Sequence, residues 1–327
     1  MSQILHFFKD FFFFKSPVRA ITDDALEFDG ARVPIRNGIV RFTPDQSYST
    51  GNFAQLREKH ATLQLDSING TKDRREDFFR QTGWSAQLLN GKTVLECGCG
   101  AGPDTEILAS LGAKIMSVDL AGGDVAKRNL AGVDNVCFVQ ASIMDLPLKE
   151  KSFDIVFCHR VLQHTPDPAA CMRHMARFVK PGGHFFVDTY ADTWVQKWHW
   201  KYWMLPFTKK MDPEKLYHTL ERCAPFLYGL TSFLLRLPFG KYVVYFFIPF
   251  RNYRFNPKYA GQTDAFFIEY GIHDTFDNLS PPYDIPLSAR EMRRIGNETL
   301  DRPFEIEEWR TITMLRTIED ARQKDAA

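Results

Sequence analysis

The segment Thr93–Gly102, with the sequence TVLECGCGAG, carries the strongest structural signal in this 327-residue chain. It begins with a short apolar run, which is typical of a buried strand, and it ends in a turn rich in glycine. Glycine is favoured where the backbone turns sharply and approaches a ligand closely, because it has no Cβ atom. The next residues, Asp104–Leu111, have the pattern of a helix that ends at Gly112. This order of elements indicates a nucleotide-binding unit but does not specify the nucleotide.

Four further strands are predicted after this turn. They are Lys114–Val118, Val136–Val139, Ser152–Cys158 and His184–Asp188. Asp119 follows the second strand of the series, where an acidic side chain can accept hydrogen bonds from ribose hydroxyls. Asp167 and Pro168 predict the start of a helix that runs to about Val179, because they are a favoured N-cap residue and a favoured first-turn residue.

Several short motifs accompany these strands. They are Glu96 before Gly98-Cys99-Gly100-Ala101-Gly102, Asp119, Leu146-Pro147 before Ser152-Phe153-Asp154, and Lys180-Pro181-Gly182-Gly183. As a set, and densely over Gly91–Asp188, they resemble the class I methyltransferases that depend on S-adenosylmethionine (SAM). The subgroup includes quinone C-methyltransferases and bacterial glycan or secondary-metabolite methyltransferases. The resemblance implies an α/β fold with a Rossmann-like seven-stranded sheet, an N-terminal cap and a large, mostly helical lid inserted after the fifth strand.

The same resemblance divides the chain into four parts. We expect an N-terminal cap over residues 1–90, a SAM-binding core over 91–189, a lid insertion over 190–287 and a C-terminal part of the core over 288–327. The insertion is inferred because the final elements of the core come late in the chain. They are a helix at Ser288–Glu298, capped by Ser288, and strands at Phe304–Arg310 and Thr311–Thr317.

The predicted cap contains three patterned segments. Met1–Ser16 has a wide apolar stripe at helical spacing, which favours either a helix packed on the protein or an interfacial membrane contact. Ala25–Phe42 alternates like a hairpin, with turns at Asp29-Gly30 and Asn37-Gly38. Arg74–Leu89 is predicted to be one helix.

Composition excludes several classes of function. The formal net charge of +1 does not provide the excess of positive charge that is typical of nucleic-acid-binding proteins. The six cysteines have neither zinc-ligand nor disulfide spacing, so we predict no metal site and a reducing, cytoplasmic location. No apolar run reaches the roughly 18 residues of a spanning helix. Aromatic residues make up 14% of the chain and concentrate in Phe7–Phe14 and Tyr190–Phe267.

The resemblance implies a set of cofactor contacts. The glycine turn would pass beneath the methionine and ribose parts of SAM, and Ser142 stands where relatives often have an aspartate for the adenine amino group. Two interpretations stay open for Glu96, which either supports the cofactor or bonds loop amides, and for Tyr48, which either contacts the cofactor or lies in the core. The full set is Tyr48, Glu96, Gly98, Cys99, Gly100, Gly102, Asp119, Leu120, Ser142, Ile143 and His159.

Three histidines are the candidates for acid–base chemistry. His159 and His164 follow the fourth strand, in a loop that lines the active site in related enzymes, and His164 is the favoured candidate. A neutral imidazole there could accept a proton from an acceptor hydroxyl, although it could equally bond only the backbone. His273, within Glu269–Asp277, is either a further candidate for acceptor binding or part of a solvated loop.

The function favoured by this pattern is methyl transfer from SAM to a small, bulky and partly apolar acceptor, with oxygen as the preferred atom. The acceptor is a free small molecule or a lipid-linked one, and the aromatic insertion leaves peripheral membrane contact open. Two alternatives are a SAM-binding protein without catalysis and an NAD-dependent oxidoreductase. Nucleic-acid methylation is disfavoured, because His159-Arg160-Val161-Leu162 stands where an Asn/Asp-Pro-Pro-aromatic motif would be expected.

Overall fold

The computed structural model of the chain describes residues 3–43, 50–121, 123–309 and 311–318. The chain folds into two units. We call the first, with residues 1–47, 74–192 and 283–327, the sheet unit, and the second, with residues 48–73 and 193–282, the helical unit. The four-part division expected from sequence stays a prediction.

The strands all belong to the sheet unit. In chain order they are β1 (Phe13–Phe14), β2 (Ser16–Pro17), β3 (Ala20–Ile21), β4 (Ala25–Phe28), β5 (Ala31–Arg36), β6 (Ile39–Arg41), β7 (Thr93–Cys97), β8 (Lys114–Asp119), β9 (Val136–Gln140), β10 (Phe153–Cys158), β11 (Val179–Tyr190), β12 (Phe304–Trp309) and β13 (Ile312–Thr317). Within the described residues, eleven of them form one mixed sheet in the order β12-β13-β11-β10-β7-β8-β9-β6-β5-β4-β3. The sheet is a Rossmann-like α/β arrangement.

The prediction of a seven-stranded sheet is wrong, because four strands from the amino-terminal segment extend it. The expected hairpin provides β4 to β6, with its turns at the two predicted positions. Asn37 and Gly38 both have positive φ angles, 52° and 68°, as a type I′ turn requires. Strand β6 then pairs in parallel with β9, so that Val40 lies opposite Val139. The local sequence pattern predicts the hairpin but not the sheet edge that it joins.

The centre of the sheet is parallel and buried on both faces. Strands β7, β8, β9 and β10 consist almost wholly of buried residues, as expected for strands covered by helices on either side. Their bounds agree with the predicted ones to about a residue. The fifth strand is longer than predicted, because Lys180–Gly183 forms a bulge inside β11 instead of a turn before it. Val179 pairs with Phe153, and His184 pairs with Ile155.

Fourteen helices are described. They are α1 (Gln3–Phe7), α2 (Thr50–Lys59), α3 (Asp66–Asn69), α4 (Asp73–Thr82), α5 (Ala86–Leu89), α6 (Pro103–Ser110), α7 (Asp124–Asn129), α8 (Pro168–Ala176), α9 (Trp194–Lys197), α10 (Trp200–Thr208), α11 (Pro213–Leu234), α12 (Gly240–Phe247), α13 (Asp264–Leu279) and α14 (Ala289–Thr299). The single helix predicted over Arg74–Leu89 is split into α4 and α5, because Gly83 adopts a φ of 67° between them. Asp167 and Ser288 cap α8 and α14 as predicted.

The amino-terminal segment is not the long helix that its apolar spacing predicts. Only Gln3–Phe7 is α-helical, and a 3₁₀ turn and short extended pieces follow. Phe8 and Phe12 are fully buried in the core of the sheet unit. The ring of Phe11 lies 5.0 Å from that of Phe153. These contacts account for most of the apolar stripe by packing inside the sheet unit, as the first of the two interpretations expects.

The insertion forms helices, as predicted. Its buried residues make one apolar core in the helical unit that is rich in aromatic side chains, including Trp200, Tyr217, Phe250 and Phe276. The solvated-loop interpretation of Glu269–Asp277 is wrong, because this stretch lies inside α13. None of the helices in the described part of the chain has the length and hydrophobicity needed to span a bilayer.

Candidate active site

The glycine turn lies at the carboxyl end of β7, between β7 and α6. Gly98, Gly100 and Gly102 have φ angles of 91°, 58° and 92°, which disfavour any residue with a Cβ atom. The amide of Gly98 donates to the carbonyl oxygen of Val118 at 2.7 Å. A Cβ atom at Gly98 would lie 2.3 Å from a methyl carbon of Val161, in the loop after β10. The turn is therefore tight on both sides, and glycine is required there.

Asp119 anchors this turn from the end of β8. Its side chain is buried, and Oδ2 accepts a hydrogen bond of 2.9 Å from the amide of Gly100. Its other oxygen accepts from the amide of Ala121 at 2.8 Å. A carboxylate has about four lone-pair sites, so these bonds are compatible with the predicted contact to ribose hydroxyls. The geometry thus fits the residue type that the nucleotide site needs.

Glu96 is buried beneath the turn and bonds hydroxyl groups. Its Oε2 accepts a hydrogen bond of 2.7 Å from Thr105, and a second, short one from Ser117. Burial raises the pKa of Glu96 to about 7, although the two hydroxyls oppose that rise. These contacts tie α6 to β8, which is a structural task; direct support of the cofactor by Glu96 stays a prediction.

The other predicted cofactor residues in the sheet unit follow the same strand ends. Cys99 and Ile143 are buried, whereas Leu120 and Ser142 are half-buried. The Ser142 hydroxyl accepts from the amide of Met144 at 3.2 Å, which stabilises the turn after β9. Their contacts with a cofactor stay predictions. Tyr48 lies outside the described residues.

Arg41 is a site residue that the sequence did not single out. At the end of β6, it donates to both carboxylate oxygens of Asp124, at 3.0 and 2.6 Å, and to Gln140 Oε1 at 2.9 Å. Gln140 in turn donates to the carbonyl oxygen of Leu120 at 3.3 Å. Arg41 thereby bridges α7 and the end of β9 beside Asp119. No local signal could have identified it, because its position depends on how the hairpin joins the sheet.

His159 lies between two carboxylates at the end of β10. Its Nδ1 donates to Asp104 at 2.9 Å, and its Nε2 lies 3.7 Å from Asp188 at the end of β11. Arg74 makes two further hydrogen bonds to Asp104, at 2.8 and 2.6 Å. Burial alone would raise the pKa of Asp104, but the positive charges of Arg74 and His159 outweigh it and hold the pKa well below its usual value. His159 and Arg74 thus share the carboxylate of Asp104.

His164 has a different environment in the 3₁₀ turn Leu162–His164. Its Nδ1 lies 3.2 Å from the carbonyl oxygen of Tyr283, and its ring packs edge-on against Tyr190 at 5.7 Å. A carbonyl oxygen only accepts, so Nδ1 must carry the proton. In the neutral ring Nε2 is then the basic atom, which is the tautomer a general base requires. The two histidines after β10 therefore have different partners, a carboxylate for His159 and a backbone carbonyl oxygen for His164.

The third predicted histidine belongs to the other unit. His273 belongs to α13 of the helical unit, where its Nδ1 lies 3.0 Å from Asp274. Its ring also lies 5.5 Å from that of His60 in the same unit. Among the described residues, no group of His, Cys, Asp and Glu side chains could hold a metal ion.

Comparison with known proteins shows what this part of the chain is similar to. The sequence pattern of a family described as "Methyltransferase domain" matches residues 95–187. The chain is 42% identical over 110 residues to a ubiquinone biosynthesis O-methyltransferase of Xanthomonas oryzae pv. oryzae, covering 32% of this chain and 46% of that protein. A protein of the same name from Marinobacter nauticus is 36% identical over 107 residues, covering 31% and 45%.

Among solved structures, a SAM-dependent methyltransferase from Mesorhizobium loti is 27% identical, with a TM-score of 0.30. That match covers 32% of this chain and 49% of the other. The chain spans about half the length of the curated relatives it matches. Residues 95–187, which contain the glycine turn, Asp119 and both histidines after β10, match a methyltransferase domain and are similar to methyltransferases of ubiquinone biosynthesis.

Proposed function

We propose that this protein transfers the methyl group of SAM to an oxygen atom of a small, partly apolar acceptor. The observation that carries the proposal is the tautomer of His164 at the end of β10, in the segment that matches a methyltransferase domain. The Nδ1 atom donates to the carbonyl oxygen of Tyr283, so Nε2 is the basic atom. The preference for oxygen rests on the relatives, which are named as O-methyltransferases of ubiquinone biosynthesis.

The residues at the carboxyl edge of the sheet fit the cofactor. Two buried polar atoms, His159 Nε2 and Gln163 Oε1, have no hydrogen-bond partner among the described residues. Buried polar atoms usually have a partner, so these two support a polar ligand at this edge. Asp119 would hold the ribose hydroxyls, and the positive φ angles of the glycine turn allow close approach of a ligand to the backbone. When bound, SAM supplies a methyl group already activated on sulfur, so that no further activation by the protein is needed.

His164 would act on the acceptor. A hydroxyl oxygen is a better nucleophile once its proton is removed, and Nε2 of His164 would accept that proton. Because Nδ1 is held by a backbone carbonyl, the ring keeps one orientation through the step. The imidazolium formed would return its proton to solvent after product release.

His159 would have a positioning task instead. Its Nδ1 donates to the carboxylate of Asp104, which also accepts from Arg74, and this contact would fix the orientation of the ring. The amide of Arg160 donates to Asp188 at 2.5 Å, and Arg160 itself has a φ of 59°. The cluster would therefore fix the loop after β10, from which His164 projects.

The nature of the acceptor rests on the segment after β11 and on the relatives. An aromatic-rich segment follows β11, and the relatives are named as O-methyltransferases of ubiquinone biosynthesis. A bulky, partly apolar acceptor fits both facts. A SAM-binding protein without catalysis is the second candidate, favoured by Ser142 where relatives often have an aspartate.

Methyl transfer with labelled SAM tests this proposal. The full chain is incubated with methyl-labelled SAM and a panel of hydroxylated aromatic compounds with and without an apolar tail, and the labelled products are identified by mass. His164→Ala should lower kcat by roughly 10²–10⁴. Its affinity for S-adenosylhomocysteine, measured by calorimetry, should stay within about twofold of the parent, because the base acts on the acceptor.

His218→Ala is the matched control, since His218 is an exposed histidine of α11. It should leave kcat unchanged. A decrease of less than about fivefold in His164→Ala would assign His164 a structural role. Binding of S-adenosylhomocysteine without label transfer to any compound would favour the second candidate.

A further inference from the structure

The end of α11, the following turn and α12 form an exposed apolar surface on the helical unit. We call this segment, Phe233–Phe247, the aromatic tip. Large apolar side chains project from it into solvent, and they are Phe233, Leu237, Phe239, Tyr242, Val243 and Phe247. Phe239 is 77% exposed and Phe247 is 70% exposed. Exposed apolar side chains clustered in this way mark an interaction surface more often than scattered single ones do.

Helix α12 presents an apolar side to solvent, as a helix that contacts a membrane does. Phe239, Tyr242, Val243 and Phe247 follow one another at helical spacing and are all exposed. Another side of α12 is anchored within the helical unit. There the hydroxyl of Tyr245 donates to Gln196 at 3.0 Å, and its ring lies 4.6 Å from that of His199. The exposed stripe is therefore a fixed feature of a packed helix.

The backbone of the turn reinforces this arrangement. Phe239 adopts a φ of 62°, a left-handed conformation that is rare for a bulky residue. A Cβ atom at Gly240 would lie 1.7 Å from the carbonyl oxygen of Leu234, so glycine is required next to it. The turn thus holds a phenylalanine in an unfavourable conformation and directs its ring into solvent. Packing within the protein does not explain such an arrangement, because the ring is exposed.

The charge of the segment identifies the partner. Between Glu221 and Asp264 the sequence contains no acidic residue. Its basic residues over the same range are Arg222, Arg236, Lys241, Arg251, Arg254 and Lys258. Of these, Arg254 and Lys258 form ion pairs with Asp264 and Asp73. Arg236 and Lys241 are exposed within the aromatic tip, beside the rings of Phe255 and Tyr242 at 5.8 and 5.0 Å. Exposed aromatic rings with basic side chains and no acid complement the boundary of an anionic lipid bilayer.

We propose that the aromatic tip binds the surface of an anionic membrane, with Phe239 and Phe247 inserted at the headgroup boundary. A second copy of this chain fits less well, because two such tips would bring like charges together. The proposal does not depend on the methyl-transfer activity, since vesicle binding is measured without it. For an apolar acceptor, attachment to the membrane would raise the local concentration of substrate.

Vesicle flotation of the full chain tests the proposal. The vesicles are phosphatidylcholine alone, or phosphatidylcholine with about one third phosphatidylglycerol. We expect binding to the anionic vesicles that weakens as salt is added. The variant F239N/F247S should lower the partition coefficient by about tenfold for each ring removed. Asparagine is chosen at position 239 because it tolerates the left-handed conformation. R236Q/K241Q should lower the coefficient on anionic vesicles by about fivefold for each charge removed.

Phe13→Ser provides the matched control, because Phe13 is a 47% exposed phenylalanine in the amino-terminal segment of the sheet unit. It should bind vesicles like the parent. Circular dichroism should be the same for all variants and the Tm should not fall, since the changed side chains are exposed and asparagine tolerates the left-handed conformation at position 239. The proposal is overturned if the parent binds no vesicles, if F239N/F247S binds as well as the parent, or if only Phe13→Ser loses binding. Concentration-dependent dimerisation lost in F239N/F247S, without vesicle binding, would assign the tip to a second copy of the chain.

Discussion

Replacing the buried Glu96 by glutamine should change how the stability of the protein depends on pH. Glu96 lies beneath the glycine turn with 2% of its surface exposed, and burial raises its pKa from 4.5 to about 7. The folded protein therefore keeps this proton at pH values where the unfolded chain has lost it. The resulting stabilisation is complete below about pH 4.5 and is lost as the pH rises through about 7.

The size of this effect follows from the shift in pKa. One unit corresponds to about 1.4 kcal/mol, so the full loss is about 3 kcal/mol, and about 2 to 3 kcal/mol of it falls between pH 5 and pH 8. Glutamine is uncharged at every pH in this range. Its carbonyl oxygen can accept the hydrogen bonds from Thr105 and Ser117, while its amide group adds a cost that does not vary with pH. The variant should thus gain stability relative to the parent as the pH rises.

Urea unfolding at several pH values measures this difference. The free energy of unfolding is determined for the parent, for Glu96→Gln and for Glu76→Gln, which changes an exposed glutamate of α4. Subtracting the parent at each pH cancels the titration of all other groups. The difference for Glu96→Gln should increase by about 2 to 3 kcal/mol from pH 5 to pH 8, and that for Glu76→Gln should stay constant. A constant difference for Glu96→Gln would refute the reasoning, because it would mean that the carboxyl ionises in its usual range.

Two further predictions concern the binding of S-adenosylhomocysteine. Asp119→Ala should weaken binding by about 1.5–3 kcal/mol in calorimetry, because a buried hydrogen-bond acceptor is lost. Asp145→Ala is the control and should not weaken binding, since Asp145 lies in an exposed turn at the same edge of the sheet. Equal affinities of the two variants would contradict the predicted ribose contact. Gly98→Ala should abolish binding and lower the Tm, because the new methyl group would overlap Val161. Gly132→Ala is its control, since Gly132 also has a positive φ but has nothing within 4 Å, so a similar loss in both variants would show backbone strain as the sole cause.

Much of the central fold could be predicted from local sequence because its signals are local. Three such signals depend on the backbone preferences of a few neighbouring residues, and they are the apolar run Thr93–Cys97, the turn Asn37-Gly38 and the N-cap Asp167. The same is true of the type of residue at Asp119, which follows a strand that the pattern identifies. Predictions were wrong where one sequence pattern is compatible with two different structures. The apolar spacing of Met1–Ser16 fits a helix, yet Phe8 and Phe12 are buried by a short helix followed by a 3₁₀ turn and extended backbone.

Part of the candidate site could be predicted from sequence, and part depends on contacts between distant segments. Sequence patterns single out the glycine turn, Asp119 and the histidines after β10, and all of them lie within the matched residues 95–187. The tautomer of His164 could not be predicted from sequence, because the carbonyl oxygen that determines it belongs to Tyr283, far along the chain. The same holds for Arg74, whose pairing with Asp104 also sets the electrostatic environment of His159.

The order of strands and helices around the glycine turn can be predicted from the residues alone, and so can the residue types that a nucleotide-binding edge requires. The pairing of β6 with β9, the contact of Arg41 with Asp124 and the left-handed backbone of Phe239 become visible in the folded chain. The difference lies in the range of the interactions. Backbone preferences depend on residues that are adjacent in the sequence. Strand pairing and buried ion pairs join segments that become neighbours only when the chain has folded.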